Sequence, residues 1–187
     1  MINKIKNIKL RGFTLIETLV AILILSTAIA GPLTIASKGL NAALVAKDQV
    51  IAYYLAQDGL EYIRFARDTN RLQGGDWLTG AGGGVGIVDL TSCTLANGCQ
   101  VDATGNTAPT ACITPTCAVL KYNNSTKRFN YSSVSGSTNV ATIFFRKITL
   151  TRVTDTEYKL VVSVTWSDLA GITHQPTTLQ ENLFNWQ

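Results

Sequence analysis

The sequence predicts an α+β protein in which a long N-terminal α-helix, with a membrane half and an amphipathic half, packs on a C-terminal antiparallel β-sheet head. Three patterns predict it. No charged residue occurs from Thr18 to Ser37. Apolar residues then recur at three- to four-residue spacing as far as Asp68, and strict alternation replaces that spacing near the C-terminus. Strands gathered after a helix, without alternating βαβ units, define the class. The 187 residues suffice for one domain and an appendage. An apolar content of 46% excludes an intrinsically disordered chain. Only 15% of residues are charged, against about 25% in ordinary soluble domains, and the uncharged run accounts for much of the deficit.

Residues 1–12 form a basic leader. Lys4, Lys6, Lys9 and Arg11 lie there with no acid, and removing these four from the 16 basic residues leaves twelve against 12 acidic ones. The net charge of +4 therefore belongs to the leader, and the head lacks the basic excess that a nucleic-acid partner would require. Residues 13–38 form the apolar helix. About 20 residues at ~1.5 Å rise cross a hydrocarbon layer of ~30 Å, and the basic flank places the N-terminus in the cytoplasm and the C-terminal bulk outside it. Ala28-Ile29-Ala30 fits a secretory cleavage site. Glu17, however, costs about 2.5–3.5 kcal/mol at the centre of a membrane helix and less near its end; neither a disposable signal nor a plain anchor requires it.

Gly12-Phe13-Thr14-Leu15-Ile16-Glu17 after a short basic leader resembles the processing motif of type IV prepilins and type II secretion pseudopilins. The resemblance implies a membrane peptidase that cuts between Gly12 and Phe13 and methylates the new Phe13 amine. It also implies that Glu17 guides assembly by accepting the terminal amine of a neighbouring subunit. Pairing removes most of the penalty of an isolated buried carboxylate. The implied partners are a prepilin peptidase, other pilin or pseudopilin subunits, the inner-membrane assembly platform and, before assembly, membrane lipid. The destination is a cell-surface or periplasmic filament, and the size and C-terminal hairpin are most similar to those of minor pilins. A signal-anchored binding module that never polymerises is the alternative. Gly31-Pro32 is expected to kink or loosen the helix, because proline removes a backbone donor and crowds the preceding turn.

Residues 39–70 form the amphipathic half, with Leu40, Leu44, Ile51, Leu55, Tyr62 and Phe65 as its expected apolar stripe. Gly39 and Gly59 are helix-weakening there. Residues 71–118 are a glycine-rich, cysteine-containing loop region with little regular structure; their spacing gives neither a dinucleotide fingerprint nor a phosphate loop. Cys93, Cys99, Cys112 and Cys117, outside the cytoplasm, are disulfide candidates. Four cysteines allow three pairings that sequence does not decide; the two short loops, Cys93 with Cys99 and Cys112 with Cys117, are favoured over zinc, whose ligand pairs are spaced more closely.

Residues 119–187 hold the sheet. Strands are expected at 143–153 and 158–166, joined as a hairpin, with a third at 172–180 kept at the edge by Pro176 and shorter ones near 119–122 and 128–131. An antiparallel meander is the simplest arrangement. His174 is expected to be an ordinary strand residue. No cofactor, metal site or catalytic constellation is expected, so the chain reads as a structural subunit and not an enzyme.

Overall fold

The computed structural model describes residues 12–104, 107–131, 138–167 and 171–185. The chain divides into two compact units, 1–45 and 46–187, which share one helix, α1 (Leu15–Leu72). In the first unit every described residue from Gly12 to Leu44 is exposed. The helix meets the length and hydropathy required of a membrane span, and it runs through Pro32 without interruption.

In the second unit the rest of α1 lies on a seven-stranded antiparallel sheet. The strands are β1 (Cys99–Gln100), β2 (Thr110–Ala111), β3 (Val119–Asn123), β4 (Arg128–Asn130), β5 (Asn139–Thr154), β6 (Glu157–Trp166) and β7 (Thr177–Phe184). β5, β6 and β7 form the expected meander, with Asp155 and Thr156 as a two-residue turn between the first pair. The meander does not describe the whole sheet. One edge of β5 is shared by two strands: β1 pairs at Ile148, and β3 pairs from Phe145 down to Asn139. β5 can do this because it is 16 residues long. A short 3₁₀ turn, Thr91–Thr94, and the two-residue strands β1 and β2 also give the cysteine region more regular structure than its composition predicts. The third meander strand begins after Pro176 instead of running through it, which spares the ladder a missing donor.

The helix face that meets the sheet differs from the expected stripe. Leu55 and Tyr62 are buried, but Leu40, Leu44 and Phe65 are exposed, and the inner face is Ala52, Ala56, Gly59, Ile63 and Ala66. Small residues win because the helix comes very close to the strands. A Cβ at Gly59 would lie 3.1 Å from Arg146 Cδ and 3.2 Å from both Ile148 Cδ1 and Val162 Cγ1. Gly59 is therefore a contact residue more than a weak point in the helix. Gly59→Val is expected to lower stability by about 1–3 kcal/mol through overpacking, as measured by urea unfolding of the full chain in micelles.

Asn70, fully buried at the end of α1, organises the glycine-rich loop. Its Nδ2 donates to the carbonyls of Trp77 and Val88, and its Oδ1 accepts the Val88 N–H at 2.8 Å. Asp76 fixes the turn within that loop. Burial alone would raise the Asp76 pKa, but hydrogen bonds from the Thr79 N–H, the Thr79 hydroxyl and the Leu78 N–H, helped by Arg71, bring it below its usual 3.8. A depressed folded-state pKa contributes stability that is complete above the unfolded value and is lost as pH falls through the folded value. Asp76→Asn should thus cost stability at pH 7, with the deficit against the native chain shrinking below about pH 4; unfolding curves from pH 7 to 2.5 check this.

Candidate functional site

The start of α1 follows from four residues. Gly12 and Phe13 are non-helical and exposed, and Thr14 sits just before the first helical residue. The Glu17 N–H donates to Thr14 Oγ1 at 3.3 Å and to the Thr14 carbonyl at 3.1 Å. Thr14-Leu15-Ile16-Glu17 therefore has the spacing of a capping box, with Thr14 as the N-cap and Glu17 in the first turn. A carboxylate there also meets the positive end of the helix dipole. The Glu17 backbone N–H thus takes part in beginning the helix, and it does so without a neighbouring subunit. The structure brings Gly12, Phe13 and Glu17 together on one short stretch; residues 1–11 of the basic leader lie outside the described residues.

Beyond Glu17, the apolar segment satisfies its own hydroxyls. Thr18 Oγ1 donates to the Leu15 carbonyl, Ser26 Oγ to Ile22, Thr27 Oγ1 to Leu23 and Ile24, Thr34 Oγ1 to Ala30, and Ser37 Oγ to Leu33. A polar side chain bonded back to its own helix can enter hydrocarbon without carrying an unsatisfied group. Exposure of Leu19, Ile22, Leu23, Leu25 and Leu33 at 59–66% would be unfavourable in water but suits a lipid environment. Gly31 and Pro32 lie 14 and 15 residues after Glu17 within this segment; Pro32 leaves the Ala28 carbonyl without its usual helical N–H.

The cysteines sit in the second unit. Disulfides join Cys93 to Cys99 and Cys112 to Cys117, with Cα atoms 4.5 and 4.8 Å apart. Both pairs are buried. The first fastens the 3₁₀ turn to β1, and the second closes the loop between β2 and β3. Among the described residues no group of three or more His, Cys, Asp or Glu side chains is placed to hold a metal. His174 precedes β7 and does not belong to it; its ring stacks on Trp166 with centroids 5.6 Å apart, and its backbone N–H donates to the Trp166 carbonyl.

One constellation has no counterpart in the expected sites. Arg146 on β5 is 2% exposed. Its guanidinium donates to the Leu55 carbonyl at 2.9 Å, the Val101 carbonyl at 2.8 Å and Asp58 Oδ2 at 2.6 Å. It thereby joins α1, β5 and the segment after β1. Tyr131 donates to the Arg146 carbonyl, and burial raises the Tyr131 pKa despite the opposing guanidinium. The signal was present in the sequence, because Arg146 shares the inward parity of Phe144, Ile148 and Leu150 on β5.

Compared with known families, residues 9–31 match the prokaryotic N-terminal methylation motif. The match covers Gly12, Phe13, Glu17 and the apolar run as far as Gly31. No curated protein and no solved structure matches the chain. The fold and the motif together define a class: an α+β protein with a prepilin-type N-terminus, a long helix and an antiparallel sheet head. The motif supports a pilin-like structural protein processed by a prepilin peptidase.

Proposed function

We propose that this chain is a prepilin-type subunit that is cut between Gly12 and Phe13, N-methylated at Phe13, and assembled through its N-terminal helix into a type IV pilus or a type II secretion pseudopilus as a minor subunit. The methylation motif over residues 9–31 carries the proposal. The local geometry supports it: the Gly12–Phe13 bond lies in exposed, non-helical backbone immediately before the cap, where a peptidase can reach it without unwinding a helix. Cutting there removes the four leader cations that hold the segment on the cytoplasmic side. It leaves an amine four residues from Glu17. In the filament, the amine of an adjoining copy compensates the Glu17 carboxylate, so that a charge costly in hydrocarbon becomes a register device. Gly31 and Pro32 would allow α1 to loosen where subunits pack.

The partners in this reading are a prepilin peptidase, an inner-membrane assembly platform and other pilin or pseudopilin subunits. The size of the head and its C-terminal hairpin favour a minor subunit. Intact-mass and N-terminal analysis of protein from its own cells should recover methylated Phe13 as the first residue. Recovery of Met1 from assembled filaments would sink the proposal and favour an uncut anchor. Glu17→Gln retains the capping geometry but removes the charge. It should reduce incorporation into filaments by at least about tenfold, since losing a paired buried charge is worth several kcal/mol, while leaving cleavage intact; quantitative immunoblots of sheared filaments check it.

A further inference from the structure

A cavity of about 470 Å³ opens within the second unit between one stripe of α1 and the opposing β4 and post-β1 segments. Its volume lies within the range of about 300–1,000 Å³ typical of small-ligand sites. Ile51 and Leu55 make the helical wall apolar, and Tyr54 from α1 and Phe129 from β4 also line the cavity. The polar groups that line it are few and differ in what they can still bind. Asp58 is held by Arg146 through Oδ2 at 2.6 Å, so its charge already has a counterion, and its Oδ1 accepts no hydrogen bond among the described residues. The Thr104 hydroxyl spends its proton on Asp102 and retains only acceptor capacity. Arg128, on β4, has neither a counterion nor a hydrogen-bonded acidic partner among the described residues.

The vacancies are therefore specific. Among the described residues the cavity has a guanidinium without a counterion, that of Arg128, which is shaped to grip a carboxylate through two parallel hydrogen bonds. It offers acceptors on Asp58 and Thr104 that call for an N–H donor, and an apolar lining that includes Ile51, Leu55 and the rings of Tyr54 and Phe129. A carboxylate, an amide N–H and an apolar side chain occur together in an N-acylated apolar amino acid, which is also the last residue of a polypeptide. We propose that this cavity binds that unit, with its carboxylate on Arg128, its side chain against Tyr54 and Phe129, and its amide N–H facing Asp58 Oδ1. The proposal rests on the second unit alone and stands independently of how the N-terminal segment is processed.

The test uses the full chain in nonionic detergent micelles, ¹⁵N-labelled, with chemical-shift titration of three probes. N-acetyl-phenylalanine should bind with a dissociation constant on the order of a millimolar or tighter, as a ligand of this size permits. N-acetyl-phenylalanine amide, which lacks the carboxylate, should bind about tenfold or more weakly. Arg128→Ala should bind the acid no better than the amide, whereas Arg152→Ala, at a residue that does not line the cavity, should behave as the native chain. Tyr54→Ala, at a residue 65% exposed, should weaken both probes, and circular dichroism verifies that each variant is folded. Equal affinity for acid and amide in the native chain, or an unchanged preference in Arg128→Ala, overturns the proposal. An acetylated tetrapeptide ending in phenylalanine identifies the source: tighter binding than the single residue assigns the site to a polypeptide end, and weaker binding assigns it to a free N-acyl amino acid.

Discussion

Arg146→Ala is expected to lower the stability of the second unit by about 3–5 kcal/mol, the range found when one member of a buried pair is removed. Three losses combine. The Val101 carbonyl loses its guanidinium donor, at about 1–3 kcal/mol for a buried group left unpaired, and the Leu55 carbonyl, inside the helical ladder of α1, loses its additional one. A long side chain leaves a void between α1 and β5. Asp58 loses its counterion, although this last loss is small because the Asp58 side chain is 48% exposed and water can solvate it. The order of effects distinguishes the contributions. Asp58→Asn should cost only about 1 kcal/mol, whereas Arg146→Lys should cost about 2 kcal/mol or more because an ammonium cannot reproduce the planar fork that reaches three acceptors. Chemical unfolding followed by tryptophan fluorescence measures all three. If Asp58→Asn proved as damaging as Arg146→Ala, the ion pair and not the carbonyl clamp would hold α1 to the sheet.

Arg146 also shows where the sequence is silent about the fold. Period-two alternation finds β5 and β6 and the antiparallel hairpin between them, because a half-buried strand must alternate whatever it packs against. The same alternation places Arg146 inward, yet a single inward charge acquires its meaning only from two carbonyls and a carboxylate contributed by residues 55, 58 and 101. Hydrophobicity misleads on α1 for a related reason. A stripe of large residues is the usual mark of a buried face, but an approach as close as that at Gly59 selects alanine and glycine, which the pattern scores as neutral. The edge position of the third meander strand was legible and its bounds were not: β7 pairs only with β6, but it begins at Thr177, so Pro176 ends the connection before it and does not enter the ladder. The N-terminal site is the opposite case. The Gly12-Phe13 pair, Glu17 and the uncharged run are contiguous, so the motif they form is written in sequence order. Even there the Thr14 cap, a local hydrogen bond that the Thr-x-x-Glu spacing announces, reaches position 17 through its backbone N–H.

The second large effect is expected at Gly98. Its φ is +71°, a conformation that a side chain disfavours by about 1–2 kcal/mol, and a Cβ there would lie 2.4 Å from the Ile148 carbonyl oxygen and 2.9 Å from Thr149 Cγ2. The obstructing oxygen is backbone in β5, opposite Cys99, where β1 makes its pairing with that strand. It cannot turn aside as a side-chain tip would, so Gly98→Ala must move either β1 or β5. β1 is held in turn by the Cys93–Cys99 disulfide, and the Gly98 carbonyl accepts the Cys112 N–H, so displacement also disturbs the second disulfide loop. The expected cost is about 3 kcal/mol or more, from the backbone conformation and overpacking together. Gly86→Ala provides the control. Its φ of +87° carries the same conformational objection, but a Cβ there meets nothing within 4 Å, and it should cost only about 1–2 kcal/mol. Replacing Cys93 and Cys99 together by alanine should cost about 2–5 kcal/mol by itself. Combining that replacement with Gly98→Ala should cost less than the sum, because a β1 released from its disulfide can move away from Ile148 and relieve the clash. Strict additivity across this cycle, measured by urea unfolding under oxidising conditions, would mean that the disulfide does not restrain β1 against β5.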